Sequence, residues 1–451
     1  MRARAVVRRF ALSLAFVCAV AACGNSGDDD DDASGSDGGT ATTVAESDLS
    51  ENVPVEAPGV TDSEIQVAVI SSKTNPLNGK YAELADGMNA YFEMINSEGG
   101  IYGRDLVITK ERDDVIGLQN QEQVQASLAE DNVFATFLAT LGFAGADELD
   151  AAGMPTFIWN IRPEMAGHPN IFANSGALCF GCTGQVLPWL AEQLGVTKVG
   201  VIAYGVANES KLCGAGSRDS FEKYPTAEVV FFDDTIGFAQ ADLSAQVAQM
   251  KDAGVDFVTT CMDINEVIVL GNEMKKQGLD AIQHLPNGYD AELIAANADV
   301  LEGSIVIPQF VAFEHEPQIP ELQTYLEWMD TIGKEPIEVA TIGWILAAQF
   351  VEGLKLAGPE FSQQKVIDGL NTLTAFSNNG LVQPIDWTKQ HEDPAENPDA
   401  AADRVCANFT KVEGGELVPQ YGEPDKPWMC FESNAPELEE PTAMSFVPED
   451  T

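Results

Sequence analysis

The residues whose spacing could support covalent chemistry are few. Cys179-Phe-Gly-Cys182 has the spacing of a redox-active dithiol or of half a zinc site. No second pair follows at metal-ligand spacing and no thioredoxin-like pattern surrounds it, so a structural bridge is the preferred reading. The histidines, His168, His284, His315 and His391, are scattered, most of them close to Pro or in polar segments. They are expected on the surface or in loops, and no metal site is expected. No GxGxxG follows the first apolar run, and neither a GxxxxGKS/T loop, a GxSxG elbow nor an HExxH helix occurs. Nucleotide enzymes, serine hydrolases and zinc peptidases therefore lose their usual sequence support. No cofactor is expected.

The N-terminus bears on compartment. Arg2, Arg4, Arg8 and Arg9 precede the apolar run Phe10–Ala22, which is too short for a stable membrane anchor and reads as a signal peptide over 1–22. The run ends in Val20-Ala21-Ala22-Cys23-Gly24, which resembles the lipobox of bacterial lipoproteins. Cys23 is the expected lipidated N-terminus, in a bacterial cell envelope outside the cytoplasm. Residues 23–58 are rich in Gly, Ser, Thr and Asp, including the run Asp28–Asp32, and are expected to be a disordered acidic linker. With Cys18 in the leader and Cys23 acylated, Cys179, Cys182, Cys213, Cys261, Cys406 and Cys430 remain in an oxidising compartment, and an even set there implies disulfides. The sequence does not choose the connectivity. Local proximity and expected strand ends favour Cys179 with Cys182, Cys213 with Cys261, and Cys406 with Cys430.

These residues need a scaffold. The chain has 451 residues and 45% apolar content, enough for two lobes with buried cores. Lys and Arg total 24 against 71 for Asp and Glu, a net charge of −47, which repels nucleic acid and anionic lipid. From residue 60, short β-rich apolar runs alternate with amphipathic stretches. The runs are 65–70, 106–109, 133–138, 155–160, 199–203, 228–232, 255–260, 281–285 and 304–307. Most read as buried parallel strands. Tyr81, Leu84, Met88, Tyr91, Phe92 and Ile95 recur at helical spacing, and Asp242 is the expected N-cap of a helix that stops at Gly254. Such alternation predicts a doubly wound α/β sheet, with its ligand beyond the carboxyl ends of the strands.

Several stretches then converge on one family. Gly59-Val-Thr-Asp-Ser-Glu-Ile-Gln-Val-Ala-Val-Ile70, Ile95-Asn-Ser-Glu-Gly-Gly-Ile-Tyr-Gly-Arg-Asp-Leu106, Val255-Asp-Phe-Val-Thr-Thr260 and Lys276-Gln-Gly-Leu279 together resemble the solute-binding proteins of branched-chain amino acid type ABC transporters. The likeness covers residues 59 to roughly 390. Gly99, Gly100 and Gly103 suit a helix end and the tight turn that starts the next strand.

The resemblance implies a type I periplasmic-binding fold: two Rossmann-like α/β lobes joined by a three-crossing hinge. It implies lobe 1 over 59–175 plus 312–378, lobe 2 over 176–311 plus 379–435, and a C-terminal tail over 436–451. It implies a binding protein and not an enzyme: a monomer that closes on a small-molecule solute and docks on an ABC permease, meeting the membrane only through its lipid and binding no nucleic acid. The implied ligand contacts on lobe 1 are Tyr81, Thr140 with the backbone of Leu141 and Gly142, and the loop carrying Trp159, Asn160 and Arg162. Thr140 reads equally as the cap of a helix beginning at Phe143. Arg162 could grip a carboxylate with its fork and Trp159 could cover an apolar face, against ordinary readings as an ion-pair partner and a core residue. On lobe 2 the implied contacts are Asn208, Asp263 and Asn287. Amino acid binders of the family tend to carry Tyr and Glu where Asn208 and Asn287 stand. Without that Glu, an ammonium needs another acid, such as Asp263, or the ligand is an amide or a carboxylate. Sensing through a partner other than a permease is the alternative role, and an extracellular thiol redox protein a more distant one. The polar, Pro-containing stretch 386–403 is expected to be a surface loop.

Overall fold

The computed structural model describes residues 49–433 and 435–449; the leader, Cys23 and most of the linker lie outside the described residues. Strands β1 (Glu64–Ser71), β2 (Asp105–Asp113), β3 (Ala135–Ala139), β4 (Thr156–Ile158) and β5 (Ile171–Ala173) form a parallel sheet in the order β2-β1-β3-β4-β5. Every residue of β3 is buried, as a strand covered on both faces requires. Phe137, Phe157 and Phe172 stack across β3, β4 and β5 with ring centroids 4.9 and 5.7 Å apart, and Phe350 from a covering helix meets Phe137 and Phe157 edge-on.

The second sheet is built on parallel strands β6 (Lys198–Tyr204), β7 (Glu228–Ile236), β8 (Phe257–Cys261), β9 (Ile282–Leu285) and β10 (Ile305–Val306). After β11 (Arg404–Ala407), the antiparallel pair β12 (Phe409–Glu413) and β13 (Glu416–Gln420) extends that sheet, giving the order β13-β12-β10-β9-β8-β6-β7. Strands β14 (Trp428–Glu432) and β15 (Thr442–Met444) join β11 in a small antiparallel sheet. Between the two large sheets the chain passes after β5, returns after β10 to helices that pack on the first sheet, and passes again before β12. Two doubly wound lobes with three crossings are therefore present.

All nine predicted runs are strands. The sequence reading missed β5 and β11 to β15. Strand β5 is three residues long, and the C-terminal strands interleave apolar with polar residues and take distant partners. The segment expected as a C-terminal tail carries β15, a correction: Met444 and Thr442 pair with Trp428 and Cys430 of β14.

Two close approaches set the first lobe. The helices Leu84–Ser97 and Glu338–Ala357 cross so tightly that a Cβ on Gly87 would lie 1.7 Å from the Ala340 carbonyl oxygen, and one on Gly343 would lie 2.1 Å from that of Leu84. Glu338–Ala357 is apolar and long enough to cross a membrane by composition, but here it is a core helix with most of its residues buried. At the expected turn, Gly99, Gly100 and Gly103 all have positive φ. Arg104, which lies near the end of the family-like stretch Ile95–Leu106, is buried and donates to the carbonyls of Thr61 (2.7 Å), Tyr102 (3.2 Å) and Val53 (2.8 Å). It ties residue 53 of the expected linker onto the body.

Three further expectations change. Asp242 sits one position outside the cap of the helix Ser244–Ala253, accepting from the Ser244 amide, while Gly254 does end it with φ +75°. His391 lies in a loop but is buried, and His315 is buried in the short helix Phe313–Gln318; the His391 ring bonds the Ile171 carbonyl and Asn371. His284 lies within β9, half-buried, its ring bonded to the Thr259 hydroxyl at 3.0 Å. The start of the 386–403 loop is likewise core, because Trp387 packs edge-on against Phe172 and beside His391. Exposed residues begin at Thr388 and dominate the later part.

Candidate ligand-binding site

The carboxyl ends of both parallel sheets face one cleft. Two cavities lie in it, of about 260 and about 70 Å³. Tyr81, Trp159, Asp263 and Asn287 line both and form the wall between them. The wall is bridged by the Tyr81 hydroxyl, which donates to Asp263 Oδ2 at 3.1 Å. Each partner is placed by its own element. Tyr81 precedes the helix Leu84–Ser97 and packs against Trp159 with ring centroids 5.8 Å apart. Asp263 caps the helix Ile264–Gln277, its Oδ1 accepting from the Asn265 amide at 3.0 Å, while its own N–H donates to the Tyr204 hydroxyl at 3.2 Å. Burial holds the Asp263 carboxyl above the usual carboxylate range despite these donors. Burial, and then the Asp263 charge, push the Tyr81 hydroxyl well above its ordinary value.

Of the sequence-predicted residues, Tyr81, Thr140, Leu141, Trp159, Asn160, Arg162, Asp263 and Asn287 line the larger cavity. Gly142 and Asn208 do not. Asn208 is exposed at the first turn of the helix Asn208–Lys223, whose Glu209, Ser210 and Cys213 face the cavity instead. Thr140 caps no helix: the next begins at Ala146, and the Thr140 hydroxyl donates to the Gly142 carbonyl at 2.6 Å. The Leu141 amide donates to Ser72 Oγ at 3.1 Å.

Arg162 faces the cavity but its fork is occupied. It donates to the carbonyls of Leu141 (3.1 Å) and Thr140, and pairs with Glu209 at 3.4 Å. Asn160 has φ +62°, with its amide accepted by Asn174 and its side-chain oxygen taken by Ser175. Gln309, on the passage after β10, accepts from both Trp159 Nε1 (3.2 Å) and Asn174 (2.9 Å). Hydroxyl, amide and guanidinium groups expected for a ligand carboxylate thus bind the protein itself.

The sequence reading missed Tyr204, Phe238 and Phe180, which with Tyr81 and Trp159 give the larger cavity an aromatic wall. Tyr204 directly follows a predicted strand, so its place at the strand's carboxyl end was a usable signal. Tyr289 and Glu338 of the smaller cavity carried none. The disulfides are Cys179–Cys182, Cys213–Cys261 and Cys406–Cys430, as favoured. Cys213 and Cys261 line the cavity and join the helix behind it to the end of β8. Among the described residues no group of His, Cys, Asp and Glu is arranged to hold a metal ion.

Residues 64–402 match the family model described as periplasmic binding protein. The chain belongs to the periplasmic binding protein family. Among solved structures, the fatty acid ABC transporter substrate-binding protein from Thermomonospora curvata is similar, at TM-score 0.66 and 17% identity, covering 87% of this chain and 97% of that one. The branched-chain amino acid ABC transporter protein from Thermus thermophilus with bound valine has TM-score 0.64 and 18% identity, over 85% and 98%. The solute-binding protein from R. palustris in complex with 4-hydroxybenzoate has TM-score 0.64 and 17% identity, over 83% and 98%. No curated protein matches the chain significantly. These likenesses give the type I periplasmic-binding fold. The periplasmic binding proteins of ABC transporters are extracytoplasmic solute-binding proteins and not enzymes.

Proposed function

We propose that this periplasmic binding protein is the solute receptor of an ABC importer, anchored through lipidated Cys23, and that its two lobes, the second taking up the chain again only after the Trp387–His391 segment that packs on the first, close as a monomer on one small molecule and deliver it to a permease. The observation that carries the reading is the aromatic-walled cavity between the two sheets, bridged by Tyr81 and Asp263. A concave, mostly apolar site with a few placed polar groups is what selective binding of a small solute requires. Enclosure between lobes that meet only when shut couples binding to a shape that a permease can read.

The test is a thermal-shift screen of residues 24–451, made without Cys23, against amino acids, amides, polyamines and carboxylates. A ligand at 100 times its Kd adds about 2.7 kcal/mol to the folded state, which raises the melting temperature measurably. Silence across the whole panel would count against a small-solute receptor.

A further inference from the structure

The smaller chamber is acidic. Asp263 from the second lobe and Glu338, the first residue of the core helix Glu338–Ala357, both line it. Glu338 is buried; its Oε2 receives only a long bond from the Tyr289 amide (3.4 Å), and its Oε1 is buried with no hydrogen-bond partner. Of the nearby cations, Lys80 lines the same chamber but is already paired there with Asp290 at 2.6 Å, and Arg162 is held by Glu209 and two carbonyls. Asn78, Asn265, Asn287 and Tyr289 add polar lining, and Ile264, Leu293, Ile337 and Val339 add apolar surface. Both carboxyl groups can be charged in such a place only when a cation joins them, because a buried charge needs both a counter-ion and hydrogen-bond donors.

We propose that the smaller chamber is an ammonium site, so that the solute is an organic amine whose apolar or aromatic body occupies the larger cavity and whose nitrogen sits between Asp263 and Glu338. This rests on the receptor reading above. An ammonium is compact, carries three N–H donors and no acceptor, and supplies the donor that Glu338 Oε1 lacks. Tyr81 and Trp159 stand at the same wall and can offer ring faces to the cation. The larger cavity argues the same way. Its ionisable side chains besides the tyrosines are Arg162, Glu209 and Asp263, of which the first two neutralise each other, leaving one carboxyl over. The donors that a ligand carboxylate would need at Thr140 and Leu141 are already bonded.

Calorimetry on the mature chain with phenethylamine and n-alkylamines, 3-phenylpropionate, 3-phenylpropanamide and phenylalanine tests this. The expected result is that an amine binds at least about 10-fold tighter than its carboxylate and amide counterparts. E338Q and D263N should each weaken the amine by about 10-fold or more; Gln keeps the shape of a buried carboxyl and Asn still caps a helix, so both should fold. Affinity of the wild type should rise between pH 6 and 8, towards 10-fold per unit, because the ammonium displaces a proton from Glu338. The ionisable groups that line the chamber with Glu338 are Asp263, Tyr81, Tyr289 and the Lys80–Asp290 pair, and E338Q should remove most of that slope. Binding of a carboxylate or amide while every amine is silent, or an amine indifferent to E338Q, overturns the ammonium site and leaves the receptor reading standing. Silence of the entire panel overturns both.

Discussion

Burial, with the Asp263 charge adding, pushes the Glu338 carboxyl up to about 8, so this side chain is largely protonated at neutral pH. Since its folded value lies above the ordinary value of 4.5, the folded chain binds this proton more tightly than the unfolded chain does. The resulting stabilisation is complete below about pH 4.5 and is lost as pH rises to about 8, by an amount on the order of a few kcal/mol. E338Q should therefore lose little at pH 5 and be more stable than wild type at pH 9, measured as the difference in melting temperature between the two proteins across that range. Arg162 is held differently, as a charge with its partners in place. Its removal would leave Glu209 half-buried and facing burial-raised Glu164, and two carbonyls without their donor. R162A should cost about 3 kcal/mol by urea unfolding, within the range for breaking a buried pair. The sequence offered Arg162 as a carboxylate grip or as an ion-pair partner. It did not show that carbonyls at 140 and 141, brought in from another strand end, would take the fork.

Among the elements, the helix crossing at Gly87 and Gly343 has the greatest consequence for the site. Tyr81 lies just ahead of one helix and Glu338 starts the other, so the crossing distance fixes how far apart they stand. A methyl at Gly343 would strike the Leu84 carbonyl and the Met88 amide, backbone atoms that cannot rotate away. G343A should destabilise by about 3 kcal/mol, at the upper end for overpacking. It should also weaken ligand binding, whereas G184A, where an added methyl meets nothing within 4 Å, should change neither by more than about 0.5 kcal/mol. Circular dichroism melts and the ligand titration check both. The strands and this helix pattern were legible because parallel strands buried on both faces are near-continuous apolar runs, as at Val67–Ile70 and Ala135–Ala139. The crossing was not legible. A glycine inside a helix looks alike whether it meets solvent or another backbone. The antiparallel strands after residue 403 escaped for a related reason: their burial, as at Phe409, Val412 and Leu417, depends on partners far along the chain.

Across the whole molecule, the side-chain polar contacts that span the cleft include the Tyr81–Asp263 hydrogen bond and the Lys80–Asp290 and Arg162–Glu209 ion pairs. Lys80 is exposed, and such a pair contributes about 0–1 kcal/mol; a single hydrogen bond contributes about 1 kcal/mol. The Arg162–Glu209 contact is long, at 3.4 Å, and its guanidinium is already held by two carbonyls of its own side of the cleft. Together these contacts offset only a small part of the freedom lost when two domains become fixed. On the proposed receptor reading, a ligand that touches both walls adds the rest, because it binds the shut form better than the open one. The radius of gyration measured by small-angle scattering should therefore fall when a saturating ligand is added. K80A should shift ligand affinity no more than about 5-fold, and Y81F should shift it more, since its hydroxyl works in the desolvated wall between the chambers.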